Sequence, residues 1–289
     1  MILVTGATGH LGNKTIELLL KKTSPDQVQA LVRDTEKAAG IAAKGVALKQ
    51  GDYLNYDSLV AAFKGVEKLY FISGSDVTNR ETQHLNVVNA AKAAGVKHVF
   101  YTSFQRKDES SDSPIIMVAK SHITTEKALK ESGLTYTILR HGIYMQMLSA
   151  FMGEKVLETG VIYAPTGEGK AAYTARDDMA EAAAVLLTTS GHENKEYEIS
   201  ANGAWSLAEI AAITSELSGK PVQFVSPSRE EYKTTLLNAG VPEMFIGIFA
   251  SFGEAIKRGE FDLTDPTLEK LIGRKTTSPR DFIKEAYGL

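Results

Sequence analysis

The chain has 289 residues, 43% hydrophobic and 23% charged, a balance that suits a folded α/β domain with a smaller appended region rather than disorder. It has no cysteine, which excludes disulfides, thiolate catalysis, iron–sulfur ligation and cysteine-held zinc. Its six histidines (His10, His84, His98, His122, His141 and His192) show no metal-ligand spacing, so no metal is expected. The net charge of −3 comes without a basic cluster, so neither nucleic acid nor an anionic membrane surface is an expected partner.

Met1-Ile2-Leu3-Val4 already reads as a core strand, which leaves no room for a signal peptide before it. No apolar run reaches the ~18 residues of a membrane span, so a soluble, cytoplasmic protein is expected. Strands are predicted over residues 2–5, 28–33, 46–50, 68–73, 96–102 and 136–140. Helices fall between them, over 11–22, 36–43, 56–63, 81–94 and 114–132. Ala93-Ala94-Gly95-Val96 reads as a helix end, its stop glycine and the next strand. Ser113-Pro114 reads as an N-cap followed by a first-turn proline. This repetition predicts an α/β fold, a Rossmann-type doubly wound parallel sheet.

After about residue 142 the rhythm changes. A glycine-bearing stretch precedes a helix over 177–188 and a strand over 196–200, and the capping boxes Ser206-x-x-Glu209 and Ser228-x-x-Glu231 each open a further helix. Met244, Phe245, Ile248, Phe249, Phe252 and Ile256 then recur at helical spacing, as core packing or as one wall of an apolar pocket. Residues 1–150 are expected to form a dinucleotide-binding domain to which 174–202 adds. Residues 203–289 form a smaller, mainly helical substrate-side region, with 151–173 contributing.

The strongest motif is Thr5-Gly6-Ala7-Thr8-Gly9-His10-Leu11-Gly12, directly after a predicted strand and opening a predicted helix. Gly6 allows the tight turn, Gly9 lets the backbone approach a pyrophosphate, and Gly12 lets helix and strand pack closely. The helix N-terminus then turns its free N–H groups on the phosphates. Cofactor choice is read about 20 residues further on, at Leu31-Val32-Arg33-Asp34. Arg33 suits a 2′-phosphate and favours NADP, whereas Asp34 makes the competing claim for NAD. The later strand ends should line the same crevice: Asp52 and Tyr53, then Ser73, Gly74 and Ser75, then Thr102 and Ser103. His141, Gly142, Ile143 and Tyr144 would pass beside the nicotinamide.

The usual alcohol chemistry of such folds needs Tyr-x-x-x-Lys, and none of the eleven tyrosines has a lysine four residues on. His122 and Glu126 stand where that pair would sit. Alcohol oxidation and sugar epimerisation are therefore poor readings. His122, His141 and Tyr144 remain as candidate proton donors, with His122 equally readable as a hydrogen-bonded helix residue and His141 as a cofactor-loop contact.

The chain resembles the atypical short-chain dehydrogenases of the NmrA-like group, and within it the bacterial NADPH:quinone oxidoreductases and triphenylmethane-dye reductases. The glycine loop carries the resemblance together with Ala30-Leu31-Val32-Arg33, Gly51-Asp52-Tyr53, Asn89-Ala90-Ala91-Lys92-Ala93-Ala94-Gly95-Val96-Lys97, Tyr101-Thr102-Ser103 and Lys270-Leu271-Ile272-Gly273. It implies NADPH as cofactor and hydride transfer to a small quinone-like or dye acceptor in an open apolar pocket. One departure bears on the acceptor: the quinone reductases carry Asn-Gly-Trp-Tyr where this chain has His141-Gly142-Ile143-Tyr144. The rival reading is a redox-sensing regulatory protein that binds NADP(H) without turnover.

Overall fold

Apolar runs in the first half of the chain pair in parallel and are covered by helices on both faces. The computed structural model describes residues 1–289. Its first half alternates β1 (Ile2–Val4), α1 (His10–Leu19), β2 (Val28–Val32), α2 (Ala39–Ala42), β3 (Ala47–Gln50), α3 (Tyr56–Phe63) and β4 (Lys68–Phe71). There follow α4 (Arg80–Ala94), β5 (His98–Phe104), α5 (Ile116–Ser132) and β6 (Thr135–His141). Then come α6 (Met147–Met152), α7 (Val156–Thr159), β7 (Val161–Tyr163), β8 (Lys170–Ala171), α8 (Arg176–Thr188) and β9 (Lys195–Ile199). The last part holds β10 (Trp205–Ser206), α9 (Leu207–Ser218), β11 (Gln223–Val225), α10 (Arg229–Asn238), α11 (Glu243–Lys257), α12 (Thr267–Ile272) and α13 (Pro279–Tyr287).

The main sheet is seven-stranded and parallel, in the order β3-β2-β1-β4-β5-β6-β9. Both faces of the central strands β1, β4 and β5 are buried, which is why they read as apolar runs, whereas the edge strands β3 and β9 carry exposed polar residues. Leu3, Leu69 and Phe71 enter one core with Leu59, Phe63, Val87 and Leu129 of α3, α4 and α5. Val4 and Tyr70 enter the opposite core with Ile16 and Leu19 of α1 and Met179 and Ala183 of α8. The chain crosses from one side of the sheet to the other between β1 and β4, and that reversal leaves a crevice beyond their carboxyl ends. A third core joins α6, α9 and the β7–β11 pair to one end of this body through Leu148, Phe151, Ile162, Leu207 and Phe261.

Gly95 ends α4 in the left-handed region at φ 72°. Gly95 N donates to Lys92 O and Val96 N to Ala91 O, so Val96 closes the helix and β5 starts only at His98. Two other expectations are corrected. Ser113 does not cap α5: Pro114 lies in a turn closed by Ile116 N to Ser113 O at 3.1 Å, and the helix begins after it with Ile115 at its N-cap. The Met/Phe stripe is not one buried face. Met244, Phe245 and Ile248 are exposed, and the buried line of α11 is Ile246, Ala250, Gly253 and Ile256, where the missing side chain of Gly253 admits Pro165.

The glycine loop combines two different constraints. A Cβ on Gly12 would lie 2.3 Å from the Gly6 carbonyl oxygen, whereas one on Gly9 would meet the same oxygen at 3.3 Å. Gly12→Ala is therefore expected to lose about 1–3 kcal/mol of stability through overpacking. Gly9→Ala should unfold close to the parent. Denaturant unfolding of both variants checks this, and equal stabilities would show that α1 is free to shift.

Candidate functional site

The crevice at the β1/β4 reversal has a volume of about 420 Å³. Its wall is built from the Gly6–Gly12 loop, Leu31 to Arg33, Gly51 to Tyr53, Ile72 to Asp76, Gln83, Tyr144 and Arg176. Gly6 makes the turn out of β1 at φ +57°, and Gly9 N donates back to Gly6 O at 3.0 Å. Gly9 is also the N-cap of α1; it supplies no side-chain acceptor, and no acidic residue sits in the first turn. The helix end is thus left uncapped by the protein, which suits an anion.

The floor is pinned by one tyrosine. The Tyr53 hydroxyl bonds the Thr5 hydroxyl and donates to Ile72 O at 2.8 Å, while Ile72 N donates to Thr5 Oγ1 at 2.9 Å. The ring stands edge-on to Phe71 at 5.6 Å. These contacts lock the ends of β1 and β4 and the loop after β3 to one another. Behind the wall, Ser73 N donates to Thr102 Oγ1 at 2.9 Å and Gly74 N to His84 Nε2 at 3.0 Å.

Arg33 and Asp34 separate in role. Arg33 lines the crevice, is exposed and holds no carboxylate. Asp34 turns away: its Oδ1 accepts from Glu36 N at 3.0 Å and from Lys37 N, so it caps the short turn that follows. The carboxylate that argued for NAD is consumed by the backbone.

Of the residues expected at the site, Gly6, Ala7, Thr8, Gly9, His10, Leu11, Arg33, Asp52, Tyr53, Ser73, Gly74, Ser75 and Tyr144 line the crevice. Thr102, Ser103, His141, Gly142 and Ile143 are buried and are not among the residues that line it. Ser103 donates to Glu126. Gly142 is packed so that a Cβ would meet Ser200 Cβ at 3.1 Å and Thr174 Oγ1 at 3.2 Å. Ile143 is core, its carbonyl accepting from Thr174 N at 2.9 Å. That pairing leaves Tyr144 as the member of the segment that reaches the crevice.

Arg176, Gln83 and Asp76 line it without having been anticipated. Arg176 opens α8, with its guanidinium carbon 5.7 Å from the centre of the Tyr144 ring. An arginine immediately before the acidic start of a helix was the available signal. Nothing local in the chain says that this helix start reaches β4.

The proton-donor candidates fare differently. His122 is buried on α5, bonded through Nδ1 to the Tyr101 hydroxyl at 2.8 Å, and burial holds it well below the ordinary histidine range. Burial likewise brings His141 down to about 3, with neither ring nitrogen hydrogen-bonded. Neither is an imidazolium at neutral pH. Tyr144 keeps its proton, because burial raises its pKa against the opposing charges of Arg176 and Arg80.

Glu126, four residues on from His122, is held ionised by its neighbours. Burial pushes its carboxyl up, but hydrogen bonds from Arg106, Arg140 and Ser103 outweigh that and bring it down to about 2. Its side chain is 5% exposed and is shared by two guanidinium groups, of which Arg106 also meets Glu109 and Arg140 also meets Glu196 and Glu198. Glu126→Gln is expected to cost about 1–3 kcal/mol, because the buried charge shared by the two arginines is lost while their outer carboxylate partners remain. A carboxyl depressed in the folded state stabilises above its unfolded value near 4.5 and loses that contribution as pH falls toward about 2. The parent's stability should fall through this acid window, and the variant's should fall less. Unfolding measured across the window checks both, and parallel pH profiles would remove Glu126 from this role.

Comparison with known proteins places these features in a family. The model of the NmrA-like family matches residues 1–279. The chain is 39% identical to quinone oxidoreductase 2 of Escherichia coli (strain K12), over 100% of this chain and 99% of that one. Among solved structures, an E. coli NADPH-dependent quinone oxidoreductase complexed with NADPH superposes at a TM-score of 0.92 with 40% identity, covering 99% of this chain and 100% of that one. Citrobacter sp. triphenylmethane reductase complexed with NADP(H) gives 0.91 and 43%, with the same coverage. The chain belongs to the NmrA-like family.

Proposed function

We propose that this protein is an NADPH-dependent reductase that passes a hydride to a quinone or a related conjugated acceptor such as a dye. The observation that carries the reading is the crevice itself: an uncapped helix end at the glycine loop with an unpaired Arg33 at its rim. In this reading the Gly6–Gly12 backbone holds the pyrophosphate, Arg33 holds the 2′-phosphate, and Asp52 and Tyr53 border the adenosine. Ser73, Gly74 and Ser75 border the ribose, and Tyr144 borders the nicotinamide. Thr102, Ser103, His141, Gly142 and Ile143 support those contacts from behind. NADPH supplies the hydride, and the fold's task is to hold the nicotinamide against the acceptor and exclude water.

Residues 1–150 with 174–202 serve as the cofactor-binding unit in this reading, and 203–289 with 151–173 as the acceptor side. No helix is long and apolar enough to cross a membrane. We read the protein as cytoplasmic, acting on a small molecule without nucleic acid or membrane as partner.

The direct test is NADPH oxidation by the purified protein with a panel of quinones and dyes. Turnover supports the reductase; tight NADPH binding with no turnover of any acceptor would favour the regulatory reading. Arg33→Ala should weaken NADPH binding by about 1.5–3 kcal/mol, roughly 10- to 150-fold, and hardly affect NADH. Equal losses for both cofactors would sink the 2′-phosphate assignment.

Because His122 and His141 are held neutral, neither should contribute a titration to kcat between about pH 5 and 8. His122→Gln and His141→Gln should each lower kcat by less than about a hundredfold, the bottom of the range for removal of a general acid. A loss of about a thousandfold with NADPH affinity intact would identify that histidine as the acid.

A further inference from the structure

Arg176 lines the crevice, and Arg80 stands one turn of α4 before Gln83, which also lines it; neither has the carboxylate partner that other arginines of the chain have. Arg106, Arg140, Arg258, Arg274 and Arg280 each hold a carboxylate. Arg80 and Arg176 hold none, and the Nε of each is buried without a hydrogen-bond partner. Arg80 is only 7% exposed.

Both also sit where a cation is least welcome. Arg80 is the first residue of α4 and Arg176 the first of α8, helices of 15 and 13 residues, so each adds its charge to the positive end of a helix dipole. The acidic residues of these first turns are engaged elsewhere. Asp177 binds His10 and Lys14, Asp178 binds Arg274 and Thr277, and Glu81 lies 3.9 Å from Lys120. Asp76, on the crevice wall, accepts from Asn79 N and Asn79 Nδ2; its charge acts on Arg80 through space, but the two form no ion pair. A buried cation without its counter-charge costs stability, so the arrangement calls for an anion from outside the chain.

Tyr144 joins Arg176 in this corner: the guanidinium carbon lies 5.7 Å from the centre of its ring, and the charge of Arg80 also acts on its phenol. The unpartnered ring of His141 is 6.4 Å from that of Tyr144. The dinucleotide phosphates have their own seats at the glycine loop and at Arg33, which leaves this corner to the acceptor.

We propose that Arg80 and Arg176, with the Tyr144 hydroxyl, form a cationic seat for the acceptor's oxygen, which selects neutral and anionic quinones over cationic dyes. The inference rests on the reductase reading and narrows its substrate class. Hydride transfer moves two electrons and one proton onto the quinone, giving a hydroquinone monoanion as NADPH becomes NADP+; a proton from solvent completes the hydroquinone. Negative charge thus grows on the quinone oxygen in the transition state, where a fixed guanidinium stabilises it. A cationic dye is repelled on entry and loses its charge in the same step, so the arginines offer its transition state nothing.

The test uses Arg80→Gln and Arg176→Gln in the full chain. The readouts are NADPH affinity by fluorescence, kcat/KM for a naphthoquinone sulfonate and for a cationic triphenylmethane dye, and calorimetric binding of an anthraquinone sulfonate to the NADP+-loaded protein. In each variant the sulfonate-to-dye ratio of kcat/KM should fall roughly tenfold or more, sulfonate binding should weaken by about as much, and NADPH affinity should stay within about threefold. NADPH affinity lost about tenfold with the acceptor ratio unchanged would overturn the proposal by giving the arginines to the cofactor's phosphates. Equal losses for both acceptors would overturn it as well. Should Arg80→Gln fail to fold, the half-buried Arg176→Gln decides alone. If the parent reduces no acceptor, the reductase reading has failed, and sulfonate binding still decides whether the seat exists.

Discussion

No side chain fits between the first turn of α1 and the turn that leaves β1. The Gly6 carbonyl oxygen occupies the place a Gly12 Cβ would need, and this contact sets how closely helix and sheet approach. From that approach follow the position of the α1 N-terminus over the sheet's end and the burial of Ile16 and Leu19 against Val4, Ala30 and Tyr70. The same approach lets His10 and Lys14 reach Asp177 and tie α1 to α8, which brings Arg176 and Tyr144 to the far wall. The crevice is thus a consequence of one backbone contact, with the Tyr53–Thr5–Ile72 lock fixing its floor.

The two positions that usually hold the acid and its lysine illustrate a change of task. His122 and Glu126 keep the helical spacing that would place them one turn apart on a shared face. Both are drawn into the protein's own bonding: His122 to Tyr101, Glu126 to a pair of arginines and Ser103. The face that would serve proton transfer has become a strut under β5 and β6. Hydride acceptors that take their proton from solvent do not need that machinery, so its loss is consistent with a site that works by position and charge.

The sheet was legible in the sequence because its central strands are apolar on both faces and several helices have recognisable ends, as with Gly95 after α4 and Ser206 before α9. The glycine loop and Arg33 were legible because their function is local, set within one βαβ unit. Arg80, Arg176 and Gln83 were not, because what matters is that they meet across elements far apart in the chain. His141, Gly142 and Ile143 were placed in the crevice on the strength of following a strand. The pairing of Ile143 with Thr174 buries them and turns only Tyr144 outward. The stripe on α11 misled for a related reason. Helical spacing marks an apolar face, but which residues lie inward depends on Pro165 seating at Gly253, a contact far away in sequence.

A chain with net charge −3 presents an anion site only if its carboxylates are kept out of it. Each acidic residue near the crevice has a hydrogen-bond or ion-pair partner that fixes where its carboxylate lies. Asp34 caps the turn after β2, Asp52 accepts from Leu54 N, Asp76 accepts from Asn79, and Asp177 and Asp178 hold cations or backbone of α1 and the segment after α12. What remains unpaired is the uncapped end of α1, Arg33, Arg80 and Arg176. The carboxylates of Asp52 and Asp76 keep their charge on the crevice wall, so an anion is held only where the unpaired cations lie nearer to it than they do. At distances of a few ångströms inside a low-dielectric cleft, unpaired cations outweigh the small net charge of the whole surface. A phosphate-bearing cofactor and an acceptor that gains negative charge are drawn by the same field, and the separation of Arg33 from the Arg80–Arg176 corner lets one site serve both.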